Sequence, residues 1–141
     1  MATLVATRFS IVTTLPRTLI IARHLLQLYG FQEHCAALHA IDLPVLALED
    51  GSGLAQEKVR ARCIQALKED GCGAIVLGCG GMAQLAQELT RELHVPVIDG
   101  VSAAVKMVES LVALGLSTSK RGDLAFPENK VLSGKFQALM P

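Results

Sequence analysis

Apolar residues in this chain fall into two alternating kinds of run, short β-branched ones and longer ones spaced three to four apart. Phe9-Ser10-Ile11-Val12-Thr13 reads as a first strand. Pro16 then suits the first turn of a helix, where its missing N–H costs least, and Gly30 suits the position just past its end. Residues 35–42 (CAALHAID) predict a second strand, stopped near Pro44. After the turn-rich Glu49-Asp50-Gly51-Ser52-Gly53 comes a helix whose Val59, Cys63 and Leu67 fall four apart on one face. Gly73-Ala74-Ile75-Val76-Leu77-Gly78 is a continuous apolar run bounded by glycines, the pattern of a central parallel strand. Cys79-Gly80-Gly81 turns the chain into a helix over residues 82–92. Residues 95–99 predict a fourth strand, and residues 101–116 the closing helix. The tail, with Gly122, Pro127 and Gly134, carries no strong period.

Strand alternating with helix predicts an α/β fold: an open four-stranded parallel sheet, order 2-1-3-4, with helices on both faces and right-handed crossovers. Residues 1–116 form the α/β domain on this reading and residues 117–141 its tail. In such sheets ligands bind beyond the carboxyl ends of the strands. Those ends here are Thr13-Thr14, Gly78-Cys79-Gly80-Gly81 and Asp99-Gly100.

Composition sharpens the picture in two ways. The 141 residues are 51% hydrophobic with a mean hydropathy of +0.43, yet no apolar run approaches the ~20 residues of a membrane span. Arg23 and His24 break the run at Leu19, and Lys106 and Glu109 interrupt the one from Val101. The excess therefore predicts strands buried on both faces and a surface made for a partner, with a homo-oligomer the expected assembly. Thirteen basic and thirteen acidic side chains cancel without a basic stripe, which argues against nucleic acid or an anionic membrane as partner. The N-terminal residues lack the ordered regions of a signal peptide, and four cysteines without a CxxC pair read as reduced thiols in a cytoplasmic protein.

Cys79 is the leading candidate for chemistry. It stands at a strand end just before a helix, whose unpaired N–H groups and dipole favour a thiolate. A small residue buried in a glycine turn is the plain alternative. A phosphatase-type Cys-x5-Arg loop fails, because position 85 is Leu. A metal site fails too: Cys72 and Cys79 bracket an extended strand and lie roughly 20 Å apart at ~3.3 Å per residue. Gly78-x-Gly80-x-x-Ala83, with Asp99 about 20 residues on, formally matches a dinucleotide fingerprint, but it follows the third strand rather than the first. Thr13 and Thr14 offer hydroxyls to a ligand carbonyl or imide, unless one of them caps the helix at Pro16. Asp99 reads equally as a ligand contact or as the cap of the last helix. His39, inside a strand, is a satisfied core or edge histidine.

The run GAIVLGCGGMAQLAQELTRELHVPVIDGVSAAVKMVESLVALGL resembles the second-domain core of racemases of the hydantoin/allantoin type, in the aspartate/glutamate racemase superfamily. RFSIVTTLPR near the start and AIDLPVLALED in the middle extend the likeness over nearly the whole chain. The resemblance implies one Rossmann-like half of a two-domain enzyme. In that family two cysteines, one per domain, exchange protons with opposite faces of a substrate stereocentre, without cofactor or metal. It further implies that Cys79 is the second-domain acid/base, that Thr13, Thr14, Gly80, Gly81 and Met82 contact a small hydantoin substrate, and that Asp99 and Gly100 lie at the same edge. The tail is expected to pack on the first domain. None of Cys35, Cys63 and Cys72 follows an apolar strand into a helix as Cys79 does, so racemisation by this polypeptide alone is expected to be impaired. Two other readings compete: a non-catalytic interaction module, and a nucleotide-binding domain using the turn at residues 78–83.

Overall fold

The computed structural model describes residues 1–48, 52–128 and 134–135. Four strands, β1 (Phe9–Thr13), β2 (Cys35–Ala40), β3 (Ala74–Leu77) and β4 (Val97–Asp99), form one parallel sheet in the order β2-β1-β3-β4. The helices are α1 (Ala2–Val5), α2 (Pro16–Leu28), α3 (Leu54–Glu69), α4 (Ala83–Leu93) and α5 (Gly100–Ala113). Strand order and helix placement are those the sequence predicts; the helical turn α1 and a 3₁₀ turn at Val45–Leu48 are additions.

Local chemistry explains each boundary. Pro16 opens α2 at its first turn, and the helix closes in a Schellman motif: Gly30 N–H donates to the Gln27 carbonyl (3.2 Å) and Phe31 N–H to that of Leu26 (2.8 Å). Gly30 takes the left-handed φ of 73° that this closure needs. The second strand stops at Ala40 rather than at residue 42, because Asp42 turns left-handed (φ 54°) just before Pro44. The fourth strand begins at Val97 rather than at residue 95, after left-handed His94 ends α4 and Pro96 withholds an N–H. The last helix starts and stops earlier than predicted, its end wound up by Leu116 N–H donating to the Leu111 carbonyl (2.9 Å) at left-handed Gly115.

Alternation along the strands sends side chains to two faces. On one face Val12, Ile75, Leu77 and Val97 meet Val59, Cys63 and Ala66 of α3 and Leu85, Ala86 and Leu89 of α4. On the other, Phe9, Ile11 and Ala74 meet Ala2 of α1 and Leu26 of α2. The edge of the first face is tied by polar groups. Ser10 Oγ donates to Asp70 Oδ2 (2.6 Å), and His39 Nε2 shares the same oxygen (2.6 Å). Arg62 donates to His39 Nδ1. An arginine can only donate, so Nδ1 is the accepting nitrogen and Nε2 carries the proton. His39 is thus the satisfied histidine that its place in a strand predicted.

The chain divides into two compact units, residues 1–108 and 109–141. In the second, the end of α5 leads to a 3₁₀ turn (Gly122–Leu124), and Lys120 Nζ lies 5.0 Å from the centre of the exposed Phe126 ring. A tail meant to pack on the first domain is expected to leave Phe126, Val131, Leu132 and Phe136 under-buried in this chain; the last three lie outside the described residues. Among the described residues no helix is long and apolar enough to cross a membrane.

Candidate active site

Parallel register brings three strand ends side by side. Val12 pairs with Leu77 and Leu77 with Asp99, so Thr13-Thr14, the turn from Gly78 and Asp99-Gly100 follow at one edge. Gly78 allows β1 and the turn to touch. A Cβ built there would lie 3.0 Å from Thr13 Cβ and 3.2 Å from Thr13 Oγ1, tight enough that Thr13 would have to give way by a few tenths of an ångström. Its N–H continues the sheet by donating to the Val12 carbonyl (2.8 Å).

Cys79 follows in extended backbone (φ −143°, ψ 132°) and is half-buried. The chain does not pass from it straight into the long helix, as the sequence suggested. A 3₁₀ turn, Gly80–Met82, comes between, closed by Met82 N–H donating to the Cys79 carbonyl (3.0 Å) and Ala83 N–H to that of Gly80. Gly80 and Gly81 are exposed at this edge. The Met82 side chain is buried in the α3–α4 core, and its amide is already committed to Cys79.

Thr13 and Thr14 are both buried, and neither caps α2: Leu15 is the cap residue, with no side-chain bond. Thr18 Oγ1 donates to the Leu15 carbonyl (2.7 Å). The Thr13 hydroxyl hydrogen is therefore directed to Thr18 Oγ1 (3.0 Å) or to the Gly78 carbonyl (3.2 Å), tying β1 to the thiol turn. What Thr13 can still offer is an acceptor. Asp99 is buried, and its Oδ1 accepts from Ser102 N–H (2.7 Å), which caps α5; Gly100 is exposed beside it.

The other thiols stand elsewhere. Cys35 opens β2 at its amino end, where burial pushes its pKa up. Cys63 is sealed inside α3, and burial pushes its pKa up to about 12. Cys72 lies before β3, at the opposite end of that strand from Cys79. No group of three His, Cys, Asp or Glu side chains among the described residues is arranged to hold a metal ion. Sequence reading gave no role to the 3₁₀ turn Val45–Leu48, which comes up against Gly81. Its only signal was an apolar cluster directly after the Pro44 that stops a strand.

A family model described as Asp/Glu/Hydantoin racemase matches residues 1–108. The chain belongs to the Asp/Glu/hydantoin racemase family. Among the family's curated members, a hydantoin racemase of Rhizobium meliloti is 47% identical over 130 residues, covering 92% of this chain and 54% of its own length. Among solved structures, an allantoin racemase from Klebsiella pneumoniae superposes with a TM-score of 0.87 at 87% identity, over 100% of this chain and 58% of that one. An allantoin racemase from Pseudomonas fluorescens gives 0.79 at 42% identity, over 94% and 57%. The chain spans about half the length of the racemases it matches.

Proposed function

We propose that this chain is the second-domain half of a cofactor-independent racemase of 5-substituted hydantoins, allantoin first among them, with Cys79 as one of two thiol acid/bases. The observation that carries the reading is the position of Cys79 in a racemase-family chain. It is the thiol at the carboxyl edge of the sheet, on an exposed glycine turn coupled to β1 through Thr13. Residues 1–116 make up this half on our reading, and residues 117–141 a tail that packs on the complementary one.

The chemistry follows from the substrate class. The stereogenic C–H of a hydantoin sits beside a carbonyl, so removing its proton gives an enolate that nearby N–H and O–H donors stabilise. A thiol titrates near enough to neutrality to take a proton in one direction and return it in the other. Thr13, Thr14, Gly80 and Gly81 hold the ring in this scheme, with Asp99 and Gly100 at its margin. Met82 acts through the shape of the turn. Inversion needs a second acid on the opposite face of the ring. Cys35, Cys63 and Cys72 are placed away from the edge, which supports a second acid supplied by the complementary half.

The test is proton exchange at the stereocentre in deuterated water, followed by NMR beside polarimetry on both allantoin enantiomers and corrected for spontaneous racemisation. The isolated chain is expected to exchange one enantiomer faster than the other, to invert it poorly, and to lose the exchange with Cys79→Ser. Each tenfold in rate corresponds to about 1.4 kcal/mol of transition-state stabilisation. Efficient inversion of both enantiomers by the chain alone, or exchange indifferent to Cys79→Ser, would overturn the reading.

A further inference from the structure

The two glycines after Cys79 are overlooked by different elements. A Cβ built on Gly81 would lie 3.9 Å from Cys79 Sγ, 3.9 Å from Val45 Cγ1 and 3.2 Å from Leu48 Cδ1. One built on Gly80 would lie 3.6 Å from Val101 Cγ2. The space over Gly81 therefore has Val45 and the thiol sulfur against it, and the space over the adjoining Gly80 has Val101. Val45 belongs to the 3₁₀ turn that follows β2, and Val101 to the first turn of α5.

These valines are held, yet not spent on the core. In a 3₁₀ turn residues i and i+3 line up on one edge, so Val45 rides directly over Leu48. Leu48 is buried in the α3–α4 core, and its carbonyl accepts from Gln56 Nε2 of α3 (2.6 Å). That fixes the turn. Val45 nevertheless remains 44% exposed and Val101 52% exposed. A β-branched side chain on fixed backbone has little rotamer freedom, so each presents a defined apolar wall rather than a mobile one. The same two glycines also explain the absence of side chains between the walls. Any Cβ at Gly81 would crowd Leu48 and narrow the approach to the sulfur.

We propose that Val45 and Val101 are specificity-determining residues, the side walls that set how bulky a group can approach the Cys79 thiol. Joined to the reading of Cys79 as a racemase acid/base, on which this part rests, they select the substituent carried by the stereocentre. A thiol that takes a proton from that carbon has to come within about 3–3.5 Å of it. The substituent on the same carbon is then carried close to whatever stands beside the sulfur. The walls carry no charge and no hydrogen-bonding group, so they discriminate by size.

Two measurements separate this proposal from the reading beneath it. The first needs no racemisation: rates of Cys79 alkylation by N-methylmaleimide and N-cyclohexylmaleimide, mapped by mass spectrometry, in the wild type, Val45→Ala, Val101→Ala and Val45→Phe. One methylene of misfit in an apolar pocket is worth about tenfold or more. The alanine variants are expected to raise the bulky-to-small rate ratio at Cys79 by about tenfold, and Val45→Phe to lower it. The ratio at Cys72 should stay constant and serve as the internal control. The second compares deuterium exchange of 5-methylhydantoin and 5-benzylhydantoin in the same variants, where the alanine changes should favour the benzyl compound. A maleimide ratio at Cys79 unchanged across all four proteins overturns the walls. A ratio that moves while no hydantoin exchanges even in the wild type leaves the walls standing and overturns the racemase reading.

Discussion

The two faces of the sheet are covered by helices of similar length to very different effect. Against α3 and α4 the packing is complete: Val59, Cys63, Ala66 and Leu89 have no accessible surface. On the α2 face only Leu26 of that helix is buried, while Ile20, Ile21, Leu25 and Leu28 stand exposed, as do Val105, Met107 and Val108 of α5. Both sets are apolar in sequence. What separates them is periodicity. The buried positions of α3 (Ala55, Val59, Cys63, Ala66) recur three and four apart and make one stripe. Leu19, Ile20, Ile21 and Ala22 run consecutively, so whichever side of α2 meets the sheet, apolar residues remain on the other. One face closes the fold and carries its stability. The other leaves apolar surface of the kind that marks an interaction site.

The largest effect that can break this comparison is a cavity in the closed face. Leu89→Ala should cost about 2–5 kcal/mol, read from urea unfolding, because packed neighbours relax only partly into the space left. A cost below about 1 kcal/mol would mean that the face is less tightly packed than its burial indicates.

The polar edge of that face should give the next effect. Partial burial tends to raise the pKa of Asp70, but hydrogen bonds from Ser10 and His39 and the nearby Arg62 cation outweigh it, holding the carboxyl below its usual range. A depressed folded pKa stabilises the protein above the unfolded value of about 3.9 and is lost as pH falls through the folded one. Asp70→Ala should therefore cost about 1–3 kcal/mol at pH 7, partly by orphaning the buried Ser10 hydroxyl. The gap from wild type should close as the solution is acidified below the ordinary carboxylate range. Unfolding curves at several pH values check it; a gap that widens on acidification would reverse the assignment.

The smallest effect belongs to the open face. Leu28, 73% exposed, should tolerate Ala within about 0.5 kcal/mol in the same urea titration. A larger loss would show that something covers this surface in solution, and the contrast between faces would then be one of occupancy rather than of packing.

How much of this was legible beforehand depends on the range of each interaction. Pro16 and Gly30 delimit α2 through φ and N–H arguments that involve a few consecutive residues, and the run from Gly73 to Gly78 announces a central strand by composition alone. Cys79 could be singled out for the same reason, since strand, glycine and thiol are adjacent in the chain. The strand ends differ from prediction where one residue adopts left-handed backbone, as Asp42 and His94 do, a choice that neighbours and packing make together.

Hydrophobic period, turn residues and the racemase-like run thus determined the elements, their order and the thiol to watch. Tertiary structure alone decided the rest. Asp70 meets Ser10 from 60 residues away and His39 from 31, and nothing near any of them in sequence marks the partnership. Whether Thr13 caps a helix or ties two strands depended on register, which put Gly78 beside it. Whether Asp99 capped α5 depended on where that helix began. Val45 and Val101 lie 56 positions apart in the chain and stand over the adjoining glycines after Cys79 only because parallel strands deliver their following loops to a common edge. Local sequence sets the dihedral preferences of each segment; which side chains then converge is fixed by strand register and helix packing, sums over contacts that no short window contains.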